Sequence, residues 1–173
     1  MKLYAAELNA ADTLIDHVCG RIDHHAQLGS PLRDRYVGFA AITASAHLET
    51  LVKNKVLDFC STQNRYLLSV FTAEFSRFNG RIAYDELANL LERFDKDIAR
   101  RFRNLVTRMN RYTMRTRAQS QDVFAGYKSL LTIRHTFSHN INAAFPQISS
   151  NDVRAYVDCG KRIAAAFVRC LPR

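Results

Sequence analysis

The chain has 173 residues, of which 47% are hydrophobic, and its 25 Lys plus Arg outnumber 16 Asp plus Glu for a formal net charge of +9. This length and hydrophobic content suffice for one domain with a packed core, which excludes a wholly disordered chain. With only 6 Gly and 3 Pro, the sequence lacks the many turns of a β-sandwich or barrel, and the excess of positive charge favours an anionic partner.

Apolar residues recur every three or four positions along most of the chain, which is typical of amphipathic helices. Glycine, proline and short polar stretches separate these segments, and no internal repeat or low-complexity tract interrupts them. We therefore predict an all-α fold, a single helical-bundle domain over 1–173 with about five to seven helices. The predicted helices, in chain order, cover about 3–27, 32–60, 66–78, 84–94, 95–112, 120–139 and 150 onward.

The sequence indicates a cytoplasmic protein that does not enter a membrane. Acidic residues Glu7, Asp12 and Asp16 fall where a signal peptide would have its apolar core, and no apolar run approaches the roughly 20 residues of a membrane span. The four cysteines show no CxxC spacing, so we interpret them as buried or semi-buried thiols in a reducing cytosol. These are Cys19, Cys60, Cys159 and Cys170.

Most of the net positive charge lies in one basic segment, 93–117. It holds nine Arg or Lys against two Asp, a balance of +7 (9 − 2), while its apolar residues recur at helical spacing. We predict a helix that packs by its apolar stripe and exposes arginines to the phosphate backbone of RNA or another polyanion. The alternative is a solvated face without a ligand. The candidate RNA-binding residues are Arg100, Arg101, Arg103, Arg108, Arg111 and Arg115.

Aromatic side chains can add base stacking to such backbone binding. Tyr112, Tyr127 and Tyr156 are of this type. Because each of them sits at helical spacing among apolar residues, we predict that they belong to the core instead.

The sharpest local pattern is Arg134-His135-Thr136-Phe137-Ser138-His139, at the end of an apolar helix. A histidine can take a proton from a ribose 2′-OH or give one to the departing 5′-oxygen, and an arginine can hold the phosphate and offset its growing charge. His135 and His139 are four residues apart and share a helix face. Arg134 and His139 lie about 140° apart on a helix, so they share a site only where the helix tightens or ends, or where two chains meet.

Two other interpretations of these histidines stay open. The HxxxH spacing also suits a metal-ligand pair, but zinc needs at least one more protein ligand, and Thr136 stands where the HExxH motif has its Glu. We therefore expect no metal and no cofactor. Alternatively, both histidines only stabilise the C-terminal end of a helix, where a cation is favourable.

The pattern Arg134-His135-x3-His139 resembles the RxxxxH motif of the HEPN domain family, in which a polar residue commonly follows the Arg. The sequence Ala46-His47-Leu48-Glu49-x3-Lys53, in the long second predicted helix, is similar to the acidic helix position of HEPN proteins. The stretch 81–94 resembles the middle of the RiboL-PSP and related HEPN groups. The resemblance covers roughly 30–170 at low identity, and its strength lies in the place of the motif, late in an all-α chain and before one last helix.

The resemblance implies a helical bundle that dimerises with two motifs facing each other in a cleft. It also implies a metal-independent endoribonuclease that leaves a 2′,3′-cyclic phosphate, a toxin or defence effector with RNA as substrate and a separate antitoxin or partner protein. Arg134 and His139 match the two fixed positions, His135 matches the variable polar one, and Glu49 matches a residue that orients them from the neighbouring helix. Some HEPN domains are inactive, so the alternative is a module that binds a partner protein or nucleic acid.

Overall fold

A computed structural model describes residues 5–26, 31–75, 82–116 and 122–171, and these residues form helices and turns without any strand. The predicted all-α bundle is confirmed. Seven of the helices have nine residues or more, and one five-residue helix precedes them in the described part. The helices are α1 (Ala5–Asn9), α2 (Asp12–Ala26), α3 (Pro31–Gln63), α4 (Arg65–Phe75), α5 (Tyr84–Glu92), α6 (Lys96–Thr116), α7 (Val123–His139) and α8 (Ser150–Cys170).

The longest helix, α3, lies at the centre of the bundle. It has 33 residues, which span about 50 Å at 1.5 Å per residue, and it packs against α1, α2, α4, α7 and α8. Neighbours cover more than one of its faces, so its buried side chains are not confined to a single stripe. Val37, Ala41, Leu48, Val52 and Val56 are all buried.

Helix α8 crosses α3 and α7 at Gly160. A Cβ atom at this position would lie 2.7 Å from Cδ1 of Leu48 and 3.2 Å from Cδ2 of Tyr127, so glycine lets the three helices approach this closely. The Tyr127 hydroxyl donates a hydrogen bond to the carbonyl of Ile82, which ties α7 to the residues before α5. Tyr127 is buried, and the prediction that it is a core residue is confirmed.

Helix α6 is amphipathic, as the sequence predicts. Ile98, Phe102 and Val106 are buried, and the Phe102 ring packs edge-on against Phe167 of α8 with 6.1 Å between centroids. The apolar stripe ends earlier than predicted, because Tyr112 is 68% exposed. The prediction that Tyr112 belongs to the core is therefore wrong.

Local hydrogen bonds set helix ends that periodicity alone places less well. The polar stretch 61–63 continues α3, and the side chain of Asn64 then accepts a hydrogen bond from the Leu67 amide at 2.8 Å, which starts α4. Helix α8 is capped by Ser149, which exchanges hydrogen bonds with Asp152. The next residue, Ser150, is buried, and its hydroxyl donates to Asp23 of α2.

All four cysteines are free and buried, as the sequence predicts. Burial raises the pKa of the Cys159 thiol to about 11, and it also raises the pKa values of Cys19, Cys60 and Cys170. These thiols stay protonated at neutral pH, which makes them poor nucleophiles. None of the helices described has the length and apolar content needed to cross a membrane.

Candidate functional site

The RxxxxH motif occupies the last two turns of α7. The helix begins at the cap residue Asp122, whose carboxylate accepts hydrogen bonds from the Ala125 amide and from the Asn110 side chain of α6. Its last backbone bond runs from the Asn140 amide to the carbonyl of Thr136. His139 is therefore the final helical residue, and its side chain is exposed to solvent.

Glu49 of α3 lies beside the motif arginine. Its Oε2 atom is 3.7 Å from Nη2 of Arg134, and its Oε1 atom is 2.9 Å from Nζ of Lys53, one turn further along α3. The Glu49 side chain is only 11% exposed and that of Arg134 is 26% exposed. The structure thus brings together Glu49 and Arg134, two candidate residues that lie 85 positions apart (134 − 49).

The two motif histidines contact each other on the neighbouring face of α7. The ring centroids of His135 and His139 are 4.5 Å apart with an edge-to-face arrangement, as expected for positions one turn apart. Both side chains are exposed. Within one chain the motif therefore consists of two pairs, Arg134 with Glu49 and His135 with His139.

A close helix crossing fixes the last turn of α7 against α3. A Cβ atom at Gly38 would overlap ring atoms of Phe137, so the absence of a side chain at Gly38 is what lets the Phe137 ring lie on the α3 backbone. Phe137 sits between Arg134 and His139 in the motif. Its packing therefore sets the position of the turn that carries both residues.

The loop after His139 is tied to the N-terminal end of α3. The guanidinium of Arg33 donates hydrogen bonds to the carbonyl of Phe145 at 2.9 Å and to the carbonyl of Ile148. Arg35 donates to Oδ1 of Asn142 at 3.0 Å. Sequence analysis gave neither arginine a role, since nothing in the local pattern around them marks the loop they hold.

His135 also lines an open cleft between α5 and α7. The cleft has a volume of about 560 Å³, and its walls include Tyr84, Phe124, Lys128 and Thr132. Burial raises the pKa of the Tyr84 hydroxyl, which therefore stays neutral at physiological pH. A ligand in the cleft would reach the face of α7 that carries the histidine pair.

The candidate RNA-binding arginines of α6 fall into two groups. Arg100 and Arg103 form ion pairs with Asp97 at 3.1 Å and with Glu92 at 3.0 Å, and Arg101 is exposed. The other three line a groove of about 580 Å³ against α8, together with two arginines that sequence analysis missed. We call this the arginine groove; its charged walls are Arg108, Arg111, Arg115, Arg162 and Arg169.

Some residues used in the sequence interpretation lie outside the described residues, among them the predicted helix ends at 3–4, 27, 76–78 and 120. So do Arg117, the last residue of the basic segment, and Arg81, which begins the stretch that resembles the middle of HEPN proteins. Across the described ranges, no three His, Cys, Asp or Glu side chains are grouped so that they could hold a metal ion.

Comparisons with family models, with curated proteins and with solved structures give no match for this chain. The likeness to HEPN domains therefore rests on the motif, its place in the chain and the neighbouring Glu49, and it stays a prediction.

Proposed function

We propose that the protein is a metal-independent endoribonuclease of the HEPN type, in which Arg134, His135 and His139 act on RNA bound at the end of α7. The observation that carries the proposal is the motif geometry. The two histidines are exposed and in contact, and the arginine beside them is held by a mostly buried carboxylate, Glu49.

The proposed reaction is an internal transesterification. One imidazole takes the proton of a ribose 2′-OH, and the 2′-oxygen then attacks the adjacent phosphorus atom. The bond to the 5′-oxygen breaks, and a second imidazole, protonated beforehand, gives its proton to that oxygen. The products are a 2′,3′-cyclic phosphate and a 5′-hydroxyl, so atoms and charge balance without an added reactant.

Each motif residue has a distinct part in this scheme. His139 acts as acid or base, and His135 supports it from one turn away, because a single imidazole cannot serve both ends of the reaction at once. Arg134 binds the phosphate and offsets the charge that grows on its oxygens. Glu49 is a positioning residue, since it contacts Arg134 from α3 and reaches the phosphate only through it.

A homodimer would bring two such sites together, and apolar side chains next to the motif support this arrangement. Leu32 and Phe39 of α3 are 40% and 46% exposed, and Ile141, two residues after His139, is 61% exposed. Arg35 lies on the same segment of α3 and binds Asn142 next to Ile141. Burial of these three side chains against a second copy would remove exposed apolar surface from water.

The test is cleavage of single-stranded RNA in EDTA by the wild type and by His139→Ala, with the product ends identified. We expect the wild type to cut and to leave 2′,3′-cyclic phosphates, and His139→Ala to lose at least 100-fold in rate, in the range for loss of a general acid–base group. His17→Ala removes an exposed histidine from α2 and is the matched control. Equal cutting by wild type and His139→Ala, or none by the wild type at micromolar protein, would refute the proposal.

The second candidate is an inactive HEPN module that binds a partner protein or nucleic acid, and one observation favours it. The Arg134–Glu49 ion pair links α3 to α7, so both residues have a structural use that needs no substrate. An inactive module predicts that Arg134→Gln lowers the melting temperature while the wild type cuts no RNA. The proposed enzyme predicts that Arg134→Gln lowers the cleavage rate of a chain that remains folded.

A further inference from the structure

The arginine groove lies on the flank of α6 that faces α8. Arg162 of α8 donates a hydrogen bond to the hydroxyl of Thr113 at 3.1 Å across this contact. Asn110, one turn before Thr113 on α6, binds Asp122 at the start of α7 at 2.7 Å. The RxxxxH motif lies at the other end of α7, 12 to 17 residues after Asp122, or about 18–26 Å along the helix axis, so the groove and the motif are apart.

The groove holds positive charge that the acidic residues described in the structure neutralise only in part. Of its five arginines, Arg162 pairs with Asp158 at 3.0 Å, and the other four form no ion pair among the described residues. All 16 Asp and Glu of the chain belong to the part that the structure describes. Like charges gathered in this way repel each other, so an anionic ligand would relieve an unfavourable interaction.

The charges form a row instead of a single point. Arg108, Arg111 and Arg115 are on successive turns of α6 and span about 10 Å along the helix axis. Arg162 and Arg169, two turns apart on α8, form the opposite wall. An extended polyanion can touch all of them in turn, whereas one small anion cannot.

An exposed aromatic ring in the groove indicates which kind of polyanion would bind there. Tyr112 lies in the groove between the arginines of α6, and it is 68% exposed. A base stacks on such a ring in a single strand, but the bases of a duplex are already stacked on each other. An acidic peptide would use the guanidinium groups and gain nothing from the ring.

We infer that the arginine groove binds a single strand of nucleic acid, with phosphates on the five arginines and a base on Tyr112. The inference deepens the RNA binding in the proposed function, but it rests on the charges and the ring of the groove and not on catalysis. The groove would hold a strand at a distance from the cleavage motif, so binding and cutting are separable by mutation.

Fluorescence anisotropy with a labelled 2′-O-methyl oligouridine tests the inference, because the methylated 2′-oxygen prevents cleavage. With four to five phosphate contacts, the logarithm of the binding constant should fall with the logarithm of salt with a slope of about −3. Arg108→Gln combined with Arg169→Gln should weaken binding roughly tenfold or more at low salt and reduce the slope to about −2. Arg154→Gln, on the α2 side of α8, is the matched control and should change neither quantity.

Stacking is tested with two substitutions at Tyr112. Tyr112→Ala should weaken binding of the single strand by about fivefold or more, and Tyr112→Phe, which keeps the ring, should bind like the wild type. A duplex of the same length should bind more weakly than the single strand and should not distinguish the two variants. Circular dichroism confirms that the variants fold.

Several results would overturn the inference. The first is an affinity of the double arginine variant within twofold of the wild type, and the second is wild-type affinity in Tyr112→Ala. The third is tighter binding of oligoglutamate than of oligouridine, which would assign the groove to an acidic protein. The inference and the proposed function fail separately. If the wild type binds the oligonucleotide through the groove but does not cut RNA, the inference about the groove holds and the proposed ribonuclease function fails.

Discussion

Glu49 and Arg134 join α3 to α7 by an ion pair in which Oε2 and Nη2 lie 3.7 Å apart. The same carboxylate holds Lys53 at 2.9 Å, so one mostly buried acid is shared by two cations. The guanidinium is therefore attracted toward α3 and has a defined position without any bound ligand.

Removing the charge of Glu49 should impair cleavage more than substrate binding. In Glu49→Gln we expect kcat to fall about tenfold or more, because a small misplacement of a catalytic group is costly, while KM changes little. Glu74→Gln breaks the ion pair with Arg93, away from the motif, and should leave kcat unchanged. Steady-state kinetics on both variants decide the matter, and a Glu49→Gln variant with wild-type kcat contradicts the assigned role.

The Gly38–Phe137 contact should be intolerant of a single methyl group. Gly38→Ala places a Cβ atom in the Phe137 ring, and we expect a loss of about 1–3 kcal/mol in the free energy of unfolding. Gly20→Ala is the matched control, since a Cβ at Gly20 meets no atom within 4 Å, and it should stabilise α2 by up to about 1 kcal/mol. Urea unfolding measures both.

A second substitution shows whether the Phe137 ring causes the Gly38→Ala defect. Phe137→Leu should restore part of the stability lost in Gly38→Ala. The double variant should then lose less free energy of unfolding than the two single variants lose when their losses are added. Simple additivity of the two changes would contradict the close contact.

Arg33 should stabilise the loop that follows the motif. Arg33→Gln loses two hydrogen bonds from a charged group to the carbonyls of Phe145 and Ile148, each worth about 1.5–3 kcal/mol. We expect a lower melting temperature and faster proteolysis within 140–149. Arg35→Gln, which loses an exposed bond to Asn142, should have the smaller effect, and the reverse order would be inconsistent with the structure.

The proposed dimer should depend on the exposed apolar side chains of α3. Phe39→Glu places a charge where a partner surface would exclude water, and it should shift the protein from dimer to monomer in sedimentation experiments. Tyr66→Glu changes a ring on α4 that is 76% exposed and serves as the control. A wild type that is monomeric at high concentration contradicts the dimer directly.

Stability should fall at alkaline pH in a way that involves Cys159. Burial raises its pKa from 9.0 to about 11 in the folded protein, so between these values the unfolded chain loses a proton that the folded chain keeps. The thiol therefore contributes stability that is complete below about pH 9 and is lost as the pH rises toward 11. In Cys159→Ala, the free energy of unfolding should fall less steeply between pH 8 and 11 than in the wild type. An unchanged slope in that variant would contradict the contribution of the Cys159 thiol.

Periodicity predicted the parts of this structure that depend on neighbouring residues in the sequence. The apolar stripe of α6 and the contact between His135 and His139 both follow from a repeat of 3.6 residues, because such positions share a helix face. Tyr112 was misassigned for the same reason. It continues the stripe in sequence, but at this turn of α6 the neighbouring helix α8 contacts Thr113 instead, and the Tyr112 ring is exposed.

Features made by two distant segments were predicted only in part. Glu49 was found through its resemblance to the acidic position of HEPN proteins, not through any local pattern. Arg162 and Arg169 were missed because α8 also carries acidic residues, so its arginines do not stand out as a charged run. Only the packing of α8 against α6 places them opposite Arg108 and Arg111.

The burial of all four native thiols has a practical consequence for spectroscopy. Because these cysteines are inaccessible and protonated, a thiol introduced at the surface will react with a spin label far faster than they do. Ser138→Cys would place one label per chain within the motif itself. Pulsed distance measurements could then report how far apart two motifs lie in a dimer, with every natural cysteine left in place.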